Sequence, residues 1–456
     1  MDRKWGTLIS CCLSCFMAWL DYYIVNIALP AIETDLSATL SQLQWVVNAY
    51  TVSLIALIVT MGRLSDWIGR KNLHLASIGA FGIFSYFCGS STSPNELIFW
   101  RLMQGIAAAA LIPTALALIS HAFPGKEKGK AIGIWSGITG IAMAVGPMIG
   151  GFLVSALNWS WIFYINIPLS AISILVTALF ASETYRGGSA QKIDPKGFCL
   201  LTLGLVALLF SLMEAPDLGW LSGKSIGLYA ATVLFLGWFY KAEQTSASPI
   251  IPFAIFNNCS FFCGTIVLFC LIFSMSASMF LIPLYLMQVR HIDPYVAGMI
   301  ILPLTVAIAI ISPFAGKLMG RFKAKELMLA GMAFYCLSTI FQAFIGESTS
   351  LSYLLISYVL LGVGWGISRP PATTTAIASA SHQFAGTATG VLWSVQNIGG
   401  ALGIALTVTI FRKIYETASD ATSFLAGYHT SMWILSAFSF ACIAVLVFYL
   451  RPKRVA

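Results

Sequence analysis

The chain has 456 residues, of which 58% are hydrophobic and only 9% charged, and its mean hydropathy is +0.86 with a formal net charge of +8. Soluble domains typically carry about 25% charged residues, so the composition excludes a water-soluble enzyme or regulator of this length. The positive balance does not imply a nucleic-acid surface either, because that requires basic residues clustered on a solvated domain and no segment is long enough to form one.

In chain order, a short basic start, Arg3 and Lys4, precedes an apolar run over residues 6–29. The run is too long for the apolar core of a secretion signal and lacks a small-residue cleavage pattern, which makes it a retained first span. Runs over 97–120 and 260–286 likewise reach the roughly 20 apolar residues that cross a bilayer core. Polar breaks between such runs predict six spans ending near Ala181, two more over about 197–213 and 225–240, and six from Ser260 onward. The expectation is an all-α polytopic membrane protein with about 14 transmembrane helices in a 6+2+6 arrangement. It comprises an N-terminal six-helix bundle (1–181), two extra helices with linkers (182–258) and a C-terminal six-helix bundle (259–456).

Basic residues then orient the chain, since they are retained on the cytoplasmic side. Alternate loops collect nineteen of the 25 Lys and Arg on one face, among them Arg63, Lys126, Arg186, Lys192, Arg451, Lys453 and Arg454. The other face has only Lys224, Arg290, Arg412 and Lys413. Both termini are therefore expected in the cytoplasm, with the chain in the inner (cytoplasmic) membrane.

The ten cysteines lie almost entirely within apolar runs, without the loop placement of disulfides or zinc ligands, and are read as buried free thiols. The five histidines, His74, His121, His291, His382 and His429, are scattered without relay or ligand spacing. No metal site, catalytic set or cofactor is expected.

Asp21 stands inside the first span, where a charge costs about 2.5 to 3.5 kcal/mol and persists mainly with a function or a partner. It lies roughly 13 Å from the outer end of its helix at 1.5 Å per residue, and Arg101, near the outer end of span four, can reach inward to it. Two readings stay open: a static buried ion pair, or a carboxylate that alternately takes a proton and pairs with Arg101. The remaining second-half carboxylates, Asp293, Glu347, Glu416 and Asp420, fall in outer loops, and Glu326 starts a helix at the cytoplasmic face. Arg369, with Trp365, Trp393 and Gln396, is the polar and aromatic content of the second half; Arg369 either snorkels to the surface or lines a cavity.

Several strings resemble a known family. The break after span two, Gly62-Arg63-Leu64-Ser65-Asp66-Trp67-Ile68-Gly69-Arg70-Lys71, resembles the signature loop of the major facilitator superfamily, with Trp67 where the family usually has a basic residue. Span five carries Gly146-Pro147-Met148-Ile149-Gly150-Gly151, which resembles the superfamily's antiporter motif found in exporters. Leu20-Asp21-Tyr22-Tyr23 through Pro30, Trp161 through Pro168, and Gly386 through Gly390 resemble the fourteen-span drug:proton antiporters, with Tyr23 where Thr is frequent.

The resemblance implies a cytoplasmic gate latched by Gly62, Asp66, Gly69 and Arg70, and a hinge at Gly146, Pro147, Gly150 and Gly151. It implies proton coupling through Asp21 and Arg101, and a substrate cavity bordered by Asn26, Gln104, Trp365, Arg369, Trp393 and Gln396. The string Gly316 to Lys323 repeats the gate loop with Gly320 in the place of Asp66, so proton handling is expected in the first half only. The implied activity is proton-coupled, multidrug-type efflux by alternating access, driven by the proton gradient. Export of an anionic metabolite such as a carboxylate siderophore, or proton-driven uptake, stands as the alternative. Partners are the small-molecule substrate, protons, membrane lipid and a possible periplasmic adaptor, with no nucleic acid.

Overall fold

The computed structural model describes residues 3–125, 127–183, 194–246, 249–251, 253–292, 294–379, 385–415 and 421–449. Lys126, Arg186, Lys192, Arg451, Lys453, Arg454, Asp293, Glu416, Asp420 and His382 lie outside the described residues.

The chain forms α1 (Arg3–Leu36), α2 (Leu40–Ile68), α3 (Arg70–Gly89), α4 (Pro94–Ala122) and α5 (Glu127–Ala156), then α6 (Trp161–Tyr164) running almost directly into α7 (Asn166–Phe180). A central pair follows, α8 (Pro195–Leu218) and α9 (Gly223–Thr245). The later part has α10 (Cys259–Leu284) with a π turn at Tyr285–Val289, α11 (Pro294–Leu318), α12 (Ala324–Gln342), α13 (Leu351–Ser379), α14 (Ala385–Tyr415) and α15 (Ala421–Tyr449). Among the described residues no strand occurs, and 11 helical segments are long and apolar enough to cross a membrane. With every backbone group bonded inside its own helix, such segments suit a solvent that cannot hydrogen-bond.

Local chemistry sets the boundaries. Thr39 begins α2 with a capping box: its hydroxyl accepts the Gln42 N–H at 3.3 Å while Gln42 Oε1 accepts the Thr39 N–H at 2.9 Å. Ser93 caps α4 through the Glu96 N–H at 3.3 Å, with Pro94 at the first helical position, where its missing N–H leaves nothing unpaired. Large apolar side chains point outward along the helices, including Phe152, Leu175, Phe440 and Phe448, each at least 60% exposed, as expected of a surface facing lipid.

Two compact units result: Met1–Ala207 with Ala231–Pro252 and Ala380–Ser394, and Leu208–Ala230 with Phe253–Ser379 and Val395–Ala456. The expected central segment, 182–258, is divided between them, and the first turns of α14 pack with the first unit. Within the first unit α4 packs against α2 and α3, and α7 against α1 and α3; within the second, α13 packs against α11 and α12, and α15 against α10 and α12. The pairing scheme is the same, so the repeat that has decayed in sequence persists in packing.

Close approach rests on small residues. A Cβ on Gly105 of α4 would collide with the Tyr50 carbonyl and the Ser53 hydroxyl of α2, whereas one on Gly151 of α5 would meet nothing within 4 Å. Gly105→Ala should therefore destabilise the protein by about 1 to 3 kcal/mol through overpacking, read as a lower thermal midpoint of the purified protein, and Gly151→Ala should leave that midpoint in place.

Candidate functional site

Asp21 and Arg101 come together in the core of the first unit, with 0% and 1% of their surfaces exposed. Arg101 Nη1 donates to Asp21 Oδ2 at 2.5 Å and to Gln104 Oε1 at 2.6 Å, and Nε donates to the Val46 carbonyl at 3.1 Å. The guanidinium lies over the Tyr50 ring at 4.4 Å, a favourable cation–π placement. Asp21 Oδ1 accepts from Gln104 Nε2 at 3.0 Å and Asn166 Nδ2 at 2.8 Å. Ser85 completes the cage, its hydroxyl accepting from Asn166 Nδ2 at 2.9 Å and donating to the Phe163 carbonyl at 2.9 Å.

A buried carboxylate is tolerated when its charge is matched and its lone pairs are filled, and both conditions hold here. One acceptor in the cage has no donor: Asn166 Oδ1 is buried without a hydrogen-bond partner. Turning that amide over would offer Oδ1 to a protonated Asp21, so the same residues can serve both the charged and the neutral carboxyl. Gln104, expected along the substrate cavity, is fully buried in this cage. Asn166 and Ser85 were not singled out from the sequence. Their signal is weak, an amide and a hydroxyl inside apolar runs, although Asn166 stands in the quoted string that ends at Pro168.

The gate string folds into a second buried pair. Arg70 donates from Nη2 at 2.9 Å and from Nε at 3.2 Å to Asp66 Oδ1, and both residues are at most 3% exposed. Asp66 Oδ2 accepts the Thr387 backbone N–H at 3.1 Å and its hydroxyl at 3.5 Å, at the first turn of α14. The free N–H groups and positive end of a helix favour a carboxylate there. Gly62 accepts the Ser65 hydroxyl at its carbonyl, 2.7 Å away.

Gly69 links α2 to α3 with φ of 105°, a conformation open to glycine, and a Cβ there would lie 2.7 Å from Glu183 Oε2. Glu183 in turn accepts the N–H groups of Lys71 at 3.3 Å and Asn72 at 3.2 Å, capping the start of α3. Sequence reasoning missed Glu183, because its partners lie more than a hundred residues earlier.

The Gly146 string lies in a helix that is continuous from Glu127 to Ala156; the Pro147 side chain lies outside the described residues. Gly146 and Gly150 face α1, where a Cβ would stand 3.1 Å from Tyr23 Cβ and 2.7 Å from Ile24 Cγ1 respectively. The string thus forms a close seam beside Asp21, while Gly151 points into open space.

Trp393 is buried and its ring centroid lies 5.5 Å from Trp19 and 6.0 Å from Trp135; the indole N–H groups of Trp19 and Trp135 make no hydrogen bond. In the second unit Arg369 is 3% exposed and sits 5.0 Å from the centre of the Trp365 ring, so it does not snorkel, and Gln396 is 2% exposed. Asn26 is exposed and donates to the Tyr22 carbonyl at 3.4 Å. Among the described residues no group of three or more His, Cys, Asp or Glu is placed to hold a metal ion.

Buried ion pairs set inside a bundle of membrane-length helices suit the class of membrane transporters. The Major Facilitator Superfamily profile matches residues 11–404, and the chain belongs to that superfamily. It is 31% identical over 404 residues to the tetracenomycin C resistance and export protein of Streptomyces glaucescens, covering 89% of this chain and 75% of that one. It is 33% identical over 401 residues to the multidrug resistance protein Stp of Mycobacterium tuberculosis, covering 88% and 74%. It is also 30% identical over 455 residues to the riboflavin transporter RibZ of Clostridioides difficile, covering 99% and 98%. The fold resembles the human organic anion transporter MFSD10 with a TM-score of 0.71 at 15% identity, over 98% of this chain and all of that one.

The cage makes a quantitative demand. Arg101→Gln strands a buried carboxylate and should cost about 3 to 5 kcal/mol, whereas the double change Asp21→Asn with Arg101→Gln should recover much of that loss. Denaturation of the four purified forms in detergent measures the coupling, and additive single effects would show that the pair is not a unit.

Proposed function

We propose that the protein is a proton-coupled antiporter that exports small amphipathic molecules across the inner (cytoplasmic) membrane by alternating access. The observation that carries this reading is the buried Asp21 cage, which holds a titratable group out of water yet supplies partners for both of its protonation states. The 6+2+6 arrangement of fourteen spans, with both termini in the cytoplasm, accommodates the helices α1 to α15 and the basic asymmetry of the loops.

In this mechanism a proton arriving from outside neutralises Asp21 and cancels the attraction that holds Arg101. Arg101 keeps the Val46 carbonyl, Gln104 and the Tyr50 face, so its own charge stays solvated by the protein. The neutral and charged cages then favour different packings of α1 against α4 and α5, which is the differential interaction a switch needs. Release of Thr387 from Asp66 frees the start of α14 and opens the cytoplasmic side. The Gly146 and Gly150 seam lets α5 move against α1 without side-chain interlock.

The relatives that export or resist tetracenomycin C and multiple drugs support efflux of drug-like compounds. Trp19, Trp135 and Trp393 supply flat apolar faces, with unpaired indole N–H donors on Trp19 and Trp135, suited to aromatic molecules bearing acceptor oxygens. Arg369 beside Trp365 favours a carboxylate over a cation, so an anionic metabolite is a second reading of the same route.

Asp21→Asn should abolish transport driven by a pH gradient in proteoliposomes while the protein remains folded and abundant, since the amide keeps the shape of the neutral carboxyl and cannot titrate, and Arg101 keeps the Val46 carbonyl, Gln104 and the Tyr50 face. Retained gradient-driven transport would overturn proton coupling at this residue. In competition assays with compounds of matched size, acids and neutral amphiphiles should outcompete bis-quaternary cations, and Arg369→Gln should weaken the preference for acids.

A further inference from the structure

The ends of the central pair of helices bring two carboxylates together next to the gate string. Asp194 caps α8: its Oδ1 accepts the Gly197 N–H at 2.9 Å and its carbonyl accepts the Phe198 N–H at 3.0 Å. The last turn of α9 returns Glu243 to the same place, 5% exposed, with Oε2 accepting the Ile251 N–H at 3.0 Å. Glu243 Oε1 is buried and has no hydrogen-bond partner. A Cβ on Gly197 would lie 2.9 Å from Glu243 Oε1 and 2.8 Å from Asp194 Oδ2, so both oxygens border one small space that the glycine leaves empty.

Two carboxyl groups around so small a space do not both ionise easily. The Asp194 carboxylate already accepts an N–H at the start of α8, whereas Glu243 Oε1 has no hydrogen-bond partner, and a proton held on Glu243 would supply one. Glu243 lies past Tyr240 and Lys241, beyond the apolar stretch of α9. Burial, and to a smaller extent Asp194, push its carboxyl above the usual range, against the opposing pull of the Ile251 and Ile250 N–H groups and of Arg63. Arg63 is the second residue of the gate string, three positions before Asp66. Glu243 is thus neutral below its raised midpoint and exerts no charge attraction on Arg63; above the midpoint it is ionised and attracts it.

We propose that Glu243 is a second proton-binding site, set against Asp194 in the space beside Gly197, and that its ionisation sets how firmly the central pair of helices holds Arg63 of the gate. The proton site stands on the geometry alone; the effect on the gate rests on the transporter mechanism above.

The test begins with infrared titration of the purified protein in lipid nanodiscs, following the absorption of protonated carboxyl groups as pH rises. The Glu243 component should vanish in Glu243→Gln and survive in Asp21→Asn. It should titrate at lower pH in Asp194→Asn, which keeps the helix cap but removes the neighbouring charge, and at higher pH in Arg63→Gln. A spectrum unchanged in Glu243→Gln, or a midpoint that moves in neither neighbour variant, overturns the site. In everted vesicles, the transport rate of the parent should change as the pH on the Arg63 face passes through that midpoint, and Glu243→Gln should lose the step. An identical pH profile in Glu243→Gln overturns the coupling to the gate. No transport by any form at any pH, with the infrared component intact, counts against the transporter mechanism and leaves the proton site standing.

Discussion

A full charge placed where water cannot reach must be met by the protein itself, and the pairing of Asp21 with Arg101 is the constraint around which the first unit is built. The cage takes a carboxylate from α1, a backbone carbonyl from α2, a hydroxyl from α3, a guanidinium and an amide from α4 and another amide from α7. Helices that share no hydrophobic driving force in lipid are thereby locked in register by polar contacts. The glycines at α4 and α5 then set how near α2 and α1 can come, and so whether those contacts are reachable at all.

Among the described residues the second unit repeats the packing without an ion pair at the matching level. Tyr358 is, like Arg101, the eighth residue of its helix, α13 corresponding to α4. Near the matching level a neutral chain runs from the Tyr428 hydroxyl to Gln342 Oε1 at 3.1 Å, from Gln342 Nε2 to Ser338 Oγ at 3.0 Å, and on to the Ser357 carbonyl at 2.6 Å. Hydroxyls and amides hold helices together but do not titrate near neutral pH. The first half has a buried carboxylate where the second has neutral groups, in accord with Gly320 standing where the first half has Asp66.

Much of this was legible in the sequence because it depends on local patterns. Apolar run length marks the helices, the cost of an intramembrane charge points to Asp21, and the Arg101 pairing follows from the reach of an Arg side chain along a helix. The string from Gly62 to Lys71 pointed to Asp66 and Arg70 through its resemblance to the superfamily's signature loop. What the sequence did not disclose depends on contacts between distant segments. Gln104 lies one turn from Arg101, and nothing in the string says that it turns inward to Asp21 instead of toward an open cavity. Asn166, Ser85 and Glu183 are single polar residues whose partners are chosen by helix rotation and by loop return. The division of the central segment between the two units is equally invisible to hydropathy, which sees α8 and α9 as one pair.

The two buried carboxylates differ in how they are held. Among the described residues every donor to Asp21 comes from α4 or α7, helices contained wholly in the first unit. Asp66 divides its oxygens between Arg70, one turn away on the same side of the fold, and Thr387, at the start of a helix whose residues from Val395 onward belong to the second unit. Among the described residues it meets α14 through the backbone N–H and hydroxyl of Thr387, neutral donors that hold a carboxylate more weakly than a guanidinium does. The Arg70 contact would leave Asp66 matched in charge if the Thr387 contact were lost. That pairing follows from the placement of Arg70 four residues after Asp66 on the turn that Gly69 makes, and it is what a latch that opens without stranding a buried charge, as proposed for the gate, requires.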